Sequence, residues 1–185
     1  MEEISLNILD IAENSIRAKA TLIEISVWED IAADYLKVKI KDNGCGMTKE
    51  QLTLVKDPFY TTRTTRQVGL GIPFFKMAAE ISGGSFGINS IQGSGTEIWA
   101  TFGLSHIDRM PLGDMASTVA TLIQCNPEID FIYTYTYNEA AFVLNTCELK
   151  VILDGVSLGE PQVAVFIKDF IKENVEQLAL ECLSE

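Results

Sequence analysis

The sequence predicts an α/β (α+β) two-layer sandwich over residues 1–104, followed over 105–185 by a smaller α-β-β-α extension. Three observations carry this. Segments of helical and of strand period alternate along the first part, and glycine pairs mark the changes between them. The charge divides at the same place: residues 1–104 hold 10 basic and 13 acidic residues, net −3, whereas 105–185 hold 4 and 13, net −9.

Over residues 3–20, Ile4, Ile8, Ile11, Ala12 and Ile16 recur at helical spacing, while Glu3, Asp10, Asn14 and Arg17 share the opposite face of an amphipathic helix. Residues 22–27 and 35–40 read as strands, the second alternating Leu36, Val38 and Ile40 with Lys37, Lys39 and Lys41. Asp42-Asn43-Gly44 ends that strand. Asn-Gly normally announces a hairpin, but Thr48-Lys49-Glu50-Gln51 is a capping-box pattern, so this turn leads from strand to helix. After Asp57-Pro58-Phe59 comes a threonine-rich stretch with Arg63 and Arg66, then Gly69-Leu70-Gly71 and a helix over 73–81 that stops at Gly83-Gly84. Residues 85–91 and 96–104 form strands around Gly93-Ser94-Gly95, with Ile98, Ala100, Phe102 and Leu104 facing inward. The remainder reads as a helix over 112–125 halted by Asn126-Pro127, strands over 130–137 and 140–147, and a long helix over 161–182. Phe131, Tyr133, Tyr135 and Tyr137 alternate with Ile132, Thr134 and Thr136. A half-buried sheet face explains this, and the strongly negative surroundings disfavour a platform for stacking bases.

At 185 residues, 47% hydrophobic and 22% charged, the chain can bury its own core without disulfides. Its apolar runs fall well short of the ~20 residues a membrane span needs. Two acids stand near the start where a secretory signal carries basic residues, so a cytoplasmic protein is expected. Cys45, Cys125, Cys147 and Cys182 lie at least 22 residues apart without a CxxC pair, so they are expected as buried thiols and not as a metal or redox site. A net charge of −12 repels phosphate backbones and anionic lipid, which makes nucleic acid and membranes poor partners. An anionic ligand belongs in the less acidic first part.

Four short elements there carry chemistry. Asp10, Asn14 and Arg17 are spaced i, i+4, i+7, so a carboxylate, an amide and a guanidinium project from one helical stripe. Such a stripe suits magnesium-phosphate work: Asn14 offers a carbonyl oxygen to Mg²⁺, Arg17 neutralises phosphate, and Asp10 holds or deprotonates an attacking hydroxyl or water. A solvated helix face gives the same pattern. Asp42, Gly44 and Gly46 place an acceptor carboxylate beside glycines that let a flat ring approach the backbone, an arrangement that suits an adenine amino group. A tight turn also explains those glycines. Gly69-Leu70-Gly71 before a helix offers backbone N–H groups and the positive end of the dipole to phosphate oxygens. Gly93-Ser94-Gly95-Thr96 is, by itself, a hairpin turn.

Order and spacing add what the single motifs lack. Over about residues 5–104 the chain resembles the GHKL superfamily of gyrase, histidine-kinase and MutL-like ATPases. LDIAENSIRA, residues 9–18, resembles the N box, with Asn14 at the metal-ligand position and Arg17 where the kinases often carry a basic residue. DNGCGM resembles the first glycine box, which makes Asp42 the adenine-reading carboxylate. DPFYTTR resembles the F box and puts Phe59, Thr62 and Arg63, with Arg66 beyond them, at the ATP lid. Gly69-Leu70-Gly71 resembles the second glycine box, and the segment ending at Thr96 the third.

The resemblance implies a Bergerat-type ATP-binding fold with ATP and Mg²⁺ as ligands. It also shows departures. Hydrolysing members commonly carry Glu where this chain has Asp10, and a base roughly 1.5 Å out of reach costs on the order of a hundredfold in rate. Nine residues separate Phe59 from Gly69, so the lid is expected to be short. Few residues precede the first helix, so a phosphoacceptor domain is not expected. His106 lies in LSHIDRMPLGD without a helical acceptor box, and a linker histidine is the simpler reading. The resulting expectation is a Mg-ATP-binding, stand-alone kinase-like protein that phosphorylates a protein partner in trans, similar to anti-sigma-factor kinases. The alternatives are a non-catalytic switch, in which ATP closes the lid and alters affinity for a partner, and a slow ATPase. The sequence sets no oligomeric state.

Overall fold

The computed structural model describes residues 3–55 and 71–182. Its first helix, α1 (Ile4–Arg17), buries the expected stripe of Ile4, Ile8, Ile11 and Ala12, each at most 1% exposed. Each such isoleucine contributes about 1.5–3 kcal/mol by leaving water. Three polar residues, Ser5, Asn7 and Ser15, lie on the same buried side, and the last of them is used at the site described below.

The strands β1 (Leu22–Asp30), β2 (Tyr35–Asp42), β3 (Phe86–Ile91), β4 (Gly95–Gly103), β5 (Asp130–Tyr137) and β6 (Ala140–Asn145) form one sheet in the order β3-β4-β2-β1-β5-β6. All pairs are antiparallel except β1 with β5, which run parallel from Leu22 opposite Asp130 to Glu29 opposite Tyr137. The two strands of the acidic extension thus continue the sheet of the first part.

Alternation sorts the two faces. Ile23, Ile25 and Val27, Leu36, Val38 and Ile40, Ile98, Ala100 and Phe102, and Phe131, Tyr133 and Tyr135 are buried. Against this face lie α1, α3 (Gly71–Ile81), α4 (Met115–Cys125) and α6 (Pro161–Cys182), packed α3 on α1, α1 on α4 and α4 on α6. One sheet and one helix layer make the two-layer sandwich. On the sheet's other face the Lys37 and Lys39 ammonium groups sit 5.4 and 5.7 Å from the Trp28 ring centre.

The capping box is formed: Thr48 Oγ1 accepts from the Gln51 amide at 3.2 Å and Gln51 Oε1 from the Thr48 amide at 2.9 Å, opening α2 (Lys49–Leu54). Elsewhere the expected bounds need correction. The helix expected over 112–125 starts at Met115, capped by Asp114, because the carbonyls of Pro111 and Leu112 accept the first amides of α1, Ile4 and Ser5. The strand expected over 140–147 stops at Asn145, which caps the short helix α5 (Thr146–Ile152). The expectation of buried thiols fails for Cys45, Cys125 and Cys147, all exposed. Cys125 ends a helix and Cys147 lies in the first turn of one. Around Cys45 the backbone is held inward at both amide and carbonyl, leaving its side chain to solvent.

Candidate functional site

The carboxylate of Asp42 is the fixed point of the site. Asp42 is the last residue of β2, beside Ile23 on β1 and Thr96 on β4, and only 8% exposed. A buried carboxylate must be hydrogen bonded. Its Oδ2 accepts from Ser15 Oγ of α1 at 2.7 Å and its Oδ1 from the Gly44 amide at 2.8 Å. Each oxygen keeps a lone pair beyond these bonds, so the group retains acceptor capacity for a ligand's amino group.

The register extends this point into a row. Asp42, Thr96 and Ser90 stand opposite one another on β2, β4 and β3, on the face that carries Ile40, Ile98 and Ile88 further along. The Ser90 and Thr96 hydroxyls lie 2.8 Å apart, and Ser90 Oγ also accepts from the Met47 amide at 2.8 Å. A cavity of about 210 Å³ at this end of the sheet is lined by Asp42, Ser90 and Thr96 and also by Lys41, Asn89 and Glu97, the neighbouring row that alternates onto the other face.

The loop after Asp42 is tied down on three sides. Cys45 donates to the Ala18 carbonyl at 2.9 Å and accepts from Gly93 at 2.7 Å. Asn43 Oδ1 accepts from the Thr21 and Leu22 amides at 2.8 and 3.0 Å. Gly46 adopts φ +63°, and a side chain there would run into the Ile91 carbonyl, so this glycine is required by close backbone approach within the chain.

The polar stripe of α1 runs past this loop. Asp10 and Arg17 are exposed and Asn14 is half-buried. The Asn14 side-chain amide makes no hydrogen bond among the described residues. Arg17 pairs with Glu13 at 3.0 Å, an exposed i,i+4 pair of about 0.3–0.5 kcal/mol that a stronger anion can displace. Asp10 meets the N-terminus of α3: a Cβ on Gly71 would lie 2.9 Å from the Asp10 Cβ. Although Asp10 stays open to solvent, partial desolvation where it meets α3, and then the neighbouring Glu13 carboxylate, hold its carboxyl above the usual range, with Arg17 acting in the opposite direction.

Of the residues expected at the site, Asp42, Gly44, Gly46 and Thr96 come together at the sheet end, and Asp10 and Gly71 meet where two helices pack. Asn14 lies one residue from Ser15, which holds Asp42. Phe59, Thr62, Arg63, Arg66, Gly69 and Leu70, together with the short lid expected there, lie outside the described residues. Sequence reasoning missed Ser15, Ser90 and Asn43. Ser15 left a signal, since it occupies the i+4 place after Ile11 on the buried stripe, and a hydroxyl there needs a partner.

The family model "Histidine kinase-, DNA gyrase B-, and HSP90-like ATPase" matches residues 2–106, more than half of the chain. The chain belongs to this family. Residues 2–106 are an ATP-binding GHKL domain related to those of histidine kinases. The chain is 29% identical over 115 residues to the Non-motile and phage-resistance protein of Caulobacter vibrioides, covering 59% of this chain and 14% of that one. It is 31% identical over 91 residues to the sensor protein kinase WalK of Staphylococcus haemolyticus, covering 46% of this chain and 15% of that one. The matched stretch spans about one-sixth or less of these relatives' own length. Among solved structures, the N-terminal domain of a DNA repair protein superposes with a TM-score of 0.57 at 13% identity, covering 78% of this chain and 53% of that one, a likeness of fold.

The donor set also fits the family's ligands. Asp42 keeps open acceptor capacity beside its two bonds, and the unengaged Asn14 amide stands on the same helix as Ser15. Among the described residues no three His, Cys, Asp or Glu side chains gather to hold a metal ion. No helix among the described residues is long and apolar enough to cross a membrane.

Proposed function

We propose that the protein binds Mg·ATP along α1 and transfers the γ-phosphoryl group to a partner protein in trans. The observation that carries this reading is the meeting of Asp10 with the α3 N-terminus at Gly71. It lies five residues, about 7.5 Å along the helix, from the serine that holds Asp42. In this reading Asp42 accepts from the adenine amino group and Thr96 supports it from β4. The first amides of α3 receive phosphate oxygens, and Asn14 supplies one oxygen to Mg²⁺. The bound ion offsets charge on the phosphates. Arg17 exchanges Glu13 for phosphate, and Arg63 and Arg66 add charge on the nucleotide.

Asp10 takes the proton of the incoming nucleophile as its bond to phosphorus forms and the bond to ADP breaks. A carboxyl held above the usual range is a stronger base for this than an ordinary aspartate. Transfer in trans is supported by the position of His106, which is exposed and three residues beyond the end of β4. Thr96 stands at the opposite end of that strand, roughly 23 Å away by strand rise alone.

Incubating ATP labelled at the γ-phosphate with the purified protein and a lysate of its source tests this reading. Label on another protein is expected. Free phosphate alone would make the chain a slow ATPase, and saturable binding with neither product would make it a non-catalytic switch. Asp10→Asn should abolish transfer and leave nucleotide affinity within about twofold, while Asp42→Asn should weaken affinity roughly tenfold or more.

A further inference from the structure

The sheet ends, on the side away from β3, at β6, whose outer edge makes no backbone hydrogen bond among the described residues. Exposed edges are ordinarily blunted by a charge, a proline or a bulge. β6 has none of these: Ala140, Ala141, Phe142, Val143, Leu144 and Asn145 are uncharged and pair with β5 in unbroken register. The edge is open to a further strand that would continue the ladder.

The flank of α6 adds an apolar wall beside this edge. Phe142, on the helix side of β6, meets the Phe170 ring edge-on at 5.5 Å, and Phe166 stacks on Phe170 at 5.7 Å with the rings 13° apart. The three rings lead from the core outward to Phe166, which is 53% exposed. Val143, on the other face of the sheet, is 55% exposed. A strand laid along β6 would find apolar neighbours on both of its faces.

Charge decides what that strand carries. Residues 105–185 hold four basic side chains, and each is engaged elsewhere. Arg109 donates to the Leu104 and Met110 carbonyls, and Lys150 pairs with Asp130 at 2.7 Å. Lys168 and Lys172 follow Phe166 by two and six residues, about 200° and 240° around the helix, and lie on the α4 side, where their charges act on Asp114. Asp169 and Glu173 follow Phe166 by three and seven residues and lie within about 60° of it. Glu139 stands in the turn that leads into β6. These three carboxylates are exposed and form no ion pair among the described residues. An uncharged edge with an acidic border repels a second copy of this chain and attracts a strand that carries positive charge.

We propose that β6 is a docking edge for an extended segment of a partner protein, apolar at its centre and rich in lysine or arginine at its ends. The edge lies outside residues 2–106 and is independent of the nucleotide reading.

Amide NMR titration of the full chain at low salt, with the peptide acetyl-Lys-Lys-Val-Val-Val-Lys-Lys-amide as probe, tests this. The amides of residues 140–145 should shift saturably. Two control peptides separate the causes: one methylated at every backbone nitrogen keeps the charge but cannot donate to a strand, and one with glutamate in place of lysine reverses the charge. Each should bind at least about tenfold more weakly. Asp169→Lys combined with Glu173→Lys changes only exposed side chains, and it should weaken the basic peptide about tenfold while the other amide resonances stay in place. The proposal is overturned if the basic peptide moves no amide of β6 saturably, if either control binds as tightly, or if the double variant binds as the natural chain does. It is also overturned if those amides shift with protein concentration alone, because a second copy would then hold the edge.

Discussion

At the scale of single residues, the site holds groups whose local placement does not favour the fold. Asp10 is the clearest case. Its carboxyl sits above the ordinary aspartate value because partial desolvation, and then Glu13 one turn along, disfavour its charge. The folded chain therefore holds this proton more firmly than the unfolded chain, whose value is near 3.8. Above the folded-state value the ionised group counts against folding. As pH falls through that value toward 3.8 the burden lifts, because the folded state takes up its proton first. Asp10→Asn removes the charge and keeps the shape. At pH 7 the variant should melt higher than the natural chain by a small margin, about 1–2 °C given the group's exposure to solvent. The margin should shrink as the pH approaches 3.8. Paired melting curves at several pH values measure it, and a variant that melts lower at pH 7 would show that Asp10 is held for stability.

Elements differ in how plainly the sequence announces them. The helix α2 has no fully buried residue, only Leu52 and the following Val55 packing partly against the core, so its cap carries much of its stability. Thr48→Ala removes the hydroxyl that accepts the Gln51 amide, a loss of about 1 kcal/mol. Because the loss is local, hydrogen exchange is the right measurement: the amides of Leu52 and Val55, bonded to the Thr48 and Gln51 carbonyls, should exchange about fivefold faster. Unchanged exchange there would mean that packing, and not the cap, holds the helix. This box was legible because all its parts lie within four residues. The same was true of the α1 stripe and of the hairpin at Gly93, where the period or the turn is itself the signal. The helix α5 was legible too, although missed: Asn145 and Glu148 have cap spacing, and Asn145 Oδ1 accepts from the Cys147 amide at 2.9 Å. Contacts between distant segments leave no such mark. The bond from Ser15 to Asp42 joins residues 27 apart, and only the demand that a hydroxyl on a buried stripe find a partner hinted at it. The six expected ligand-binding positions from Phe59 to Leu70 rest on family resemblance and lie outside the described residues.

For the whole molecule, the parallel pairing of β1 with β5 matters most, and nothing in the sequence specified it. Parallel neighbours require a crossover, and this one runs through residues 31–129, carrying β2, β3, β4 and, among the described residues, three helices on the way. Its ends are fastened on both sides: the Asp130 amide donates to the Thr21 carbonyl at 2.9 Å and the Asn138 amide to the Glu29 carbonyl at 2.7 Å. Without residues 105–185, one whole edge of β1 would lose its backbone partners, and α1 would lose the packing of α4. The division suggested by charge at residue 104 is therefore crossed by the sheet ladder and by the core. The full chain should accordingly unfold in urea as one cooperative unit. Tryptophan fluorescence reports Trp28 on β1 and Trp99 on β4, while ellipticity at 222 nm is weighted toward the 22 residues of α6. The two signals should trace one curve with one midpoint. Loss of ellipticity at lower urea, with the tryptophan signal still native, would mean that the acidic part folds as a separate unit on an already complete ATP-binding domain.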